Sequence, residues 1–142
     1  MEHILVVGSG VMGRGIAYVA AVAGYQVSLV DIKEEALESA RKEIEAILAK
    51  GVARQKITAE VAERAKGLLT YETNLAQAAQ RADLVIEAVP ELIEVKKQVF
   101  ETADAHAPGH AVLATNTSTM SPTELGSFTT RPDKVIAMHF FN

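Results

Sequence analysis

Short, wholly apolar runs alternate with amphipathic stretches along the chain. Residues 4–7 are apolar throughout and stop at Gly8-Ser9-Gly10, the pattern of a strand covered on both faces. Residues 12–23 are dense in Ala, Val and Ile, which predicts a buried helix closed by Gly24. Residues 26–30 repeat the strand pattern and end at Asp31. Over 33–50, Leu37, Ala40, Ile44, Ile47 and Leu48 recur at helical spacing, with Glu38 and Lys42 one turn apart on the wet face and Gly51 following. A second helix is predicted over 59–66, with Thr58 as N-cap and Glu60 in the first turn. Two helices in succession are expected to project as a helical hairpin. Residues 68–71 form a weaker third strand, and Asn74 caps a short Ala-rich helix. Residues 84–89 are a strong fourth strand. A helix from 91 to about 106 should turn Leu92, Val95, Val99, Phe100 and Ala103 inward. Pro108-Gly109 marks a turn before a fifth strand at 111–115. Ser121-Pro122-Thr123-Glu124 has the form of a capping box with Pro at the first helical position, and residues 135–139 are a sixth strand.

Strands that alternate with helices imply a parallel sheet with helices on both faces. Six such strands match a two-halved α/β architecture, the Rossmann doubly wound parallel sheet of order 3-2-1-4-5-6, here with a helical hairpin insertion after the second strand. The 142 residues amount to one domain, 1–142. Composition narrows the function classes. A net charge of -4 gives no reason to expect a nucleic-acid or anionic-membrane partner. The absence of cysteine removes disulfides and thiolate metal ligands, and no metal site is expected. No apolar stretch reaches the ~18 residues of a membrane helix, and Met1-Glu2-His3 does not begin a secretory signal, so the expected location is cytoplasmic.

Gly8-Ser9-Gly10-Val11-Met12-Gly13 is a G-x-G-x-x-G run between a predicted strand and a predicted helix. Gly8 would allow the tight turn. Gly10 would let a pyrophosphate approach the backbone, and Gly13 would let helix and strand pack closely. The helix start offers unpaired N–H groups and a positive dipole end to phosphate. Asp31, 18 residues after Gly13 at the end of the second strand, can accept hydrogen bonds from both hydroxyls of an adenosine ribose and would repel a 2′-phosphate. No Arg follows it, so NAD is expected rather than NADP.

Ligands of open α/β sheets bind outside the carboxyl ends of the strands. Glu91 follows the fourth strand, Asn116-Thr117-Ser118 the fifth, and His139 to Asn142 close the sixth. On that edge His139 could act as a general base that takes a hydroxyl proton while hydride leaves. Ser118 and Asn142 could hold the reacting oxygen. From spacing alone, a lone histidine at a strand end is more often structural than catalytic. His3, His106 and His110 fit no such constellation.

These residues together resemble a known family. The glycine run with Asp31, then Asp83-Leu84-Val85-Ile86-Glu87-Ala88-Val89-Pro90-Glu91, Thr115-Asn116-Thr117-Ser118 and His139-Phe140-Phe141-Asn142 look like 3-hydroxyacyl-CoA dehydrogenase, including the bacterial 3-hydroxybutyryl-CoA enzymes. The resemblance implies hydride transfer between a 3-hydroxyacyl-CoA and NAD to give a 3-oxoacyl-CoA. It implies that His139 is the catalytic base, that Ser118 contacts substrate and nicotinamide, and that Asn142 positions both. Glu91 and Lys96 would line the nicotinamide-ribose side. The hairpin would contact coenzyme A, with Arg54 a candidate phosphate partner, although Ile47 stands where the family often has a small polar residue. For Lys96 and Arg54 a solvated surface charge is the competing reading. The resemblance also implies a C-terminal helical domain that closes the acyl pocket and forms a homodimer, and a glutamate beyond His-Phe-Phe-Asn that orients the base. Both are expected to be absent from this chain, so the chain alone should bind NAD and turn over poorly.

Two other readings compete. The β-hydroxyacid dehydrogenases also carry Gly-x-Gly-x-Met-Gly but use a lysine base in a later domain, and His139-Phe140-Phe141-Asn142 argues against them. A non-catalytic NAD-binding sensor or structural module would share the glycine run and Asp31, but has no need of Ser118 and His139 facing one nicotinamide.

Overall fold

The computed structural model describes residues 2–116 and 120–139. Six parallel strands form one sheet in the order β3-β2-β1-β4-β5-β6: β1 His3–Val7, β2 Gln26–Val30, β3 Leu69–Glu72, β4 Leu84–Glu87, β5 Val112–Thr115 and β6 Val135–Ala137. This is the expected doubly wound order, and it reverses between β1 and β4. Helices α1 Val11–Val22, α2 Glu34–Ala53 and α3 Ala59–Leu68 cover one face. Helices α4 Leu75–Ala79, α5 Ile93–His106 and α6 Pro122–Gly126 serve the other. The period-two alternation of each strand splits its apolar residues between two cores. Ile4, Val6, Val27 and Leu29 face α1 to α3, while Leu5, Val7, Val85 and Leu113 face α5 and α6.

Four expectations need correction. The hairpin does not stand away from the domain: Leu48, Ala62 and Ala65 are buried in the same core as α1, because short alanines on both sides let α3 lie against that helix. Helix α2 runs through Gly51 to Ala53, because Ile57 folds back over the glycine at 3.1 Å from where a Cβ would stand. Helix α5 begins at Ile93 rather than 91, since Pro90 and its tight turn (Leu92 N to Pro90 O, 2.7 Å) delay the helical register. Leu92 is therefore exposed instead of facing inward. Strand β6 ends at Ala137, which leaves His139 just outside it. Among the described residues no helix is long and apolar enough to cross a membrane, and no cluster of metal-ligating side chains occurs.

At the amino-terminal edge of the sheet Asp83 acts as a clamp. Its carboxylate accepts the backbone N–H groups of Glu2 and His3, at 2.9 and 3.0 Å, and lies 2.7 Å from His110 Nε2. The Glu2 N–H, the His110 ring and the His3 N–H hold this carboxyl well below the usual carboxylate range. Asp104 is lowered too: burial opposes its ionisation, but the Thr130 N–H and Arg131 outweigh that. A carboxyl depressed in the folded state binds fewer protons there than in the unfolded chain. Its stabilisation is present above the unfolded pKa of about 4 and is lost as pH falls toward the folded value. Unfolding in urea should therefore show a stability that declines steadily below pH ~4. The Asp83→Asn variant should flatten part of that slope, and an unchanged slope would refute the clamp.

Candidate functional site

The glycine loop joins the carboxyl ends of β1 and β4. Gly8 N donates to Val30 O and Ala88 N to Val7 O, both at 2.8 Å, so the turns after β1, β2 and β4 lock together. Gly8 has φ +105°, and a Cβ there would meet Ala88 O at 2.6 Å. A Cβ on Gly13 would lie 1.7 Å from Gly8 O, so α1 can start only if that position has no side chain. Gly10 is different: nothing lies within 4 Å of its Cβ position. That open space faces the start of α1, where Gly10 is the N-cap with no side-chain cap bond and no acidic residue occupies the first turn. The first N–H groups of the helix are thus left for an anion. The residues present fit a dinucleotide pyrophosphate, with Val11 exposed and Met12 half-buried beside it.

Asp31 sits beside this loop with its carboxylate already fixed. Oδ2 accepts Ser9 N at 3.1 Å and Ser9 Oγ at 2.7 Å, and Oδ1 accepts Lys33 N at 3.1 Å. Partial burial would raise its pKa, but the hydroxyl of Ser9 and the backbone N–H groups of Lys33, Ser9 and Ile32 outweigh it and hold the carboxyl below its ordinary value. Ser9, itself buried, ties the glycine turn to Asp31. Ile32, next in sequence, is 86% exposed on the same rim.

The ends of β4, β5 and β6 form the other half of the edge. Asn116 N donates to Glu87 O at 3.0 Å and Met138 N to Thr115 O at 2.9 Å, so each strand end is bonded to the next. These bonds bring Asn116 and the exposed His139 onto the edge that Glu91 shares. Lys96 is not a solvated charge. It is 1% exposed, its Nζ lies 2.7 Å from Glu87 Oε2, and a second pair reaches Glu91 Oε1 at 3.3 Å. Arg54, which caps α2, is exposed, and its side chain has no hydrogen-bond or ion-pair partner among the described residues, as expected of either a phosphate partner or a solvated charge. Ser118 and Asn142, with Phe140 and Phe141, lie outside the described residues.

Sequence reasoning gave Glu87 no role. The signal was there: a carboxylate inside a run that must be buried on both faces has to find a cation.

A family model for the NAD-binding domain of 3-hydroxyacyl-CoA dehydrogenase matches residues 3–142. The chain belongs to this family. It is 38% identical over 148 residues to the mitochondrial hydroxyacyl-coenzyme A dehydrogenase of Mus musculus, which spans 100% of this chain and 47% of that protein. It is 44% identical to the 3-hydroxyadipyl-CoA dehydrogenase of Escherichia coli over 142 residues, 30% of that protein. The crystal structure of 3-hydroxybutyryl-CoA dehydrogenase from Escherichia coli superposes with a TM-score of 0.95 at 45% identity, over 99% of this chain and 30% of that one. The (S)-3-hydroxybutyryl-CoA dehydrogenase of Ralstonia eutropha does so with a TM-score of 0.94 at 32% identity, over 100% of this chain and 50% of that one. The chain thus spans about half or less of the length of these relatives. As a 3-hydroxyacyl-CoA dehydrogenase NAD-binding domain it takes NAD as its dinucleotide, and the glycine loop and Asp31 are the parts of the structure that suit it.

Proposed function

We propose that this domain serves an (S)-3-hydroxyacyl-CoA dehydrogenase, with His139 as the base and Asn142 and Ser118 as the groups that hold the reacting oxygen. The observation that supports the reading is the bonded succession of strand ends, Asn116 N on Glu87 O and Met138 N on Thr115 O, with the exposed His139 next in sequence after Met138, on the edge that Glu91 and the glycine loop share. A dinucleotide crossing this edge would be held by Asp31 at its adenosine half and by residues after β4 and β5 at the other half. NAD, when bound, supplies the hydride acceptor. His139 then takes the hydroxyl proton of the substrate as its carbon gives up hydride. Donors at Ser118 and Asn142 steady the oxygen as it becomes a carbonyl. Arg54 in the hairpin turn is the proposed partner of a coenzyme A phosphate. Lys96 and Glu91 are proposed to serve the nicotinamide ribose, Glu91 at the rim and Lys96 from beneath it. The working enzyme is proposed as a cytoplasmic homodimer joined through a helical domain outside these 142 residues.

Calorimetry with NAD and NADP, followed by NADH oxidation with acetoacetyl-CoA, tests this. NAD should bind, NADP should not, and the 142-residue polypeptide should turn over slowly. His139→Ala should abolish that turnover and leave NAD affinity as it was. Equal turnover in the variant would remove His139 as the base. Turnover matching that of a full-length relative would show that a second domain is dispensable.

A further inference from the structure

Among the described residues, the most deeply buried charges are Glu87 and Lys96, each 1% exposed. Burying two ions is costly, and a well-packed neutral pair usually serves stability as well or better. Their position is therefore informative. Glu87 is the last residue of β4 and occupies the last ladder position on both sides, opposite Val7 of β1 and Thr115 of β5. Its carboxylate takes three hydrogen bonds. Lys96 Nζ and Val89 N reach Oε2 at 2.7 and 2.8 Å, and Thr115 Oγ1 reaches Oε1 at 2.7 Å. Its carbonyl accepts Asn116 N. One side chain thus fixes the turn after β4, the first turn of α5 and the end of β5, while Lys96 spends its remaining reach on Glu91.

We propose that Glu87 is the positioning residue for the nicotinamide half of the cofactor site: a buried counter-charge that aims Lys96 at Glu91 and sets the turns after β4 and β5. The proposal rests on the NAD-binding reading above. It separates the two halves of the dinucleotide. The glycine loop and Asp31, which hold pyrophosphate and adenosine, make no bond to Glu87, whereas the far half would lie on the turns it sets.

The test compares NAD with ADP by calorimetry, alongside thermal melts, in Glu87→Gln/Lys96→Met and in Glu91→Gln. ADP engages only the adenosine and phosphate parts. The double variant removes both buried charges and should melt close to the wild type. Its NAD affinity should drop about tenfold or more, by loss of charge-assisted positioning, while ADP affinity stays unchanged. Recovery of NAD affinity together with the melting temperature would reduce the pair to a structural role and overturn the proposal. Equal losses for NAD and ADP would do the same. Should the double variant fail to fold, Glu91→Gln decides: at an exposed position it should keep the melting temperature and lose NAD but not ADP affinity, and no loss would overturn the proposal. A wild-type chain that binds ADP but gains nothing from the nicotinamide half also overturns it. One that binds neither nucleotide refutes the underlying NAD reading instead.

Discussion

Gly13→Ala should unfold the nucleotide edge, whereas Gly10→Ala should leave the fold intact and still lose NAD. At Gly13 the added methyl would lie 1.7 Å from Gly8 O and 2.8 Å from Gly8 C. Both are backbone atoms of a turn locked to Val30 and, through Ala88, to β4, so neither can yield. Helix α1 would have to lift, drawing the buried Ile16 and Ala17 out of the sheet-facing core. A loss of about 3 kcal/mol or more is expected, the range of severe overpacking, with NAD binding below detection. At Gly10 the same methyl meets nothing within 4 Å, and φ is -69°, which alanine adopts freely. Stability should change by about 1 kcal/mol or less, the scale of an N-cap substitution. The methyl would occupy the space through which a pyrophosphate reaches the helix N–H groups, so NAD affinity should fall about a hundredfold or more. Melting curves and calorimetry on the two variants make the comparison. Unchanged NAD affinity in Gly10→Ala would mean that the phosphates cross elsewhere.

The second large effect is at the opposite edge. Arg131 Nε and its two terminal nitrogens donate to Asp104 Oδ1 and to the carbonyls of Pro108, Ala111, Asp104 and Ala107, at 2.6 to 3.2 Å. All five N–H donors of the guanidinium are thereby used. The side chain closes the end of α5, the turn into β5 and the approach to β6, and both ion-pair partners are largely buried, at 11% and 9% side-chain exposure. Arg131→Ala leaves a carboxylate without its cation and several carbonyls without donors. It should cost about 3 kcal/mol, read from urea unfolding. Lysine carries the charge but not the planar fork, so Arg131→Lys should recover less than half of that. NAD affinity of the folded fraction should not move, since the corner lies away from the carboxyl ends of the strands. A loss of affinity would mean that the two edges are coupled through α5.

The fold was legible because its signals are local and repeated. Short strand patterns such as the apolar run 4–7 and the Val-rich 26–30, glycines at strand ends, and the capping box at Ser121 and Glu124 fix element type and order without knowledge of partners. The glycine loop and Asp31 were legible for the same reason: their spacing is set by one strand-turn-helix unit. Lys96 and Glu87 were harder. They stand nine residues apart across a turn, and nothing in the local pattern says that one buries its charge on the other. The start of α5 falls two residues later than the apolar spacing from 91 implies, because the turn at Pro90 holds Leu92 out in solvent. The lie of the hairpin depends on contacts between α1 and α3 that no single stretch encodes.

That contact has a geometric consequence. Helix α1 begins at the glycine loop, and its flank carries the hairpin, with Gly51 near Tyr18 and Arg64 bonded to the carbonyl of Val22 at its far end. The turn that bears Arg54 and the cradle around Gly10 are therefore parts of one packed body, joined through a single helix. Such a body works as a gauge. A ligand that touches both places has to match a span set in advance by the protein, and one built too short or too long can engage only one of them.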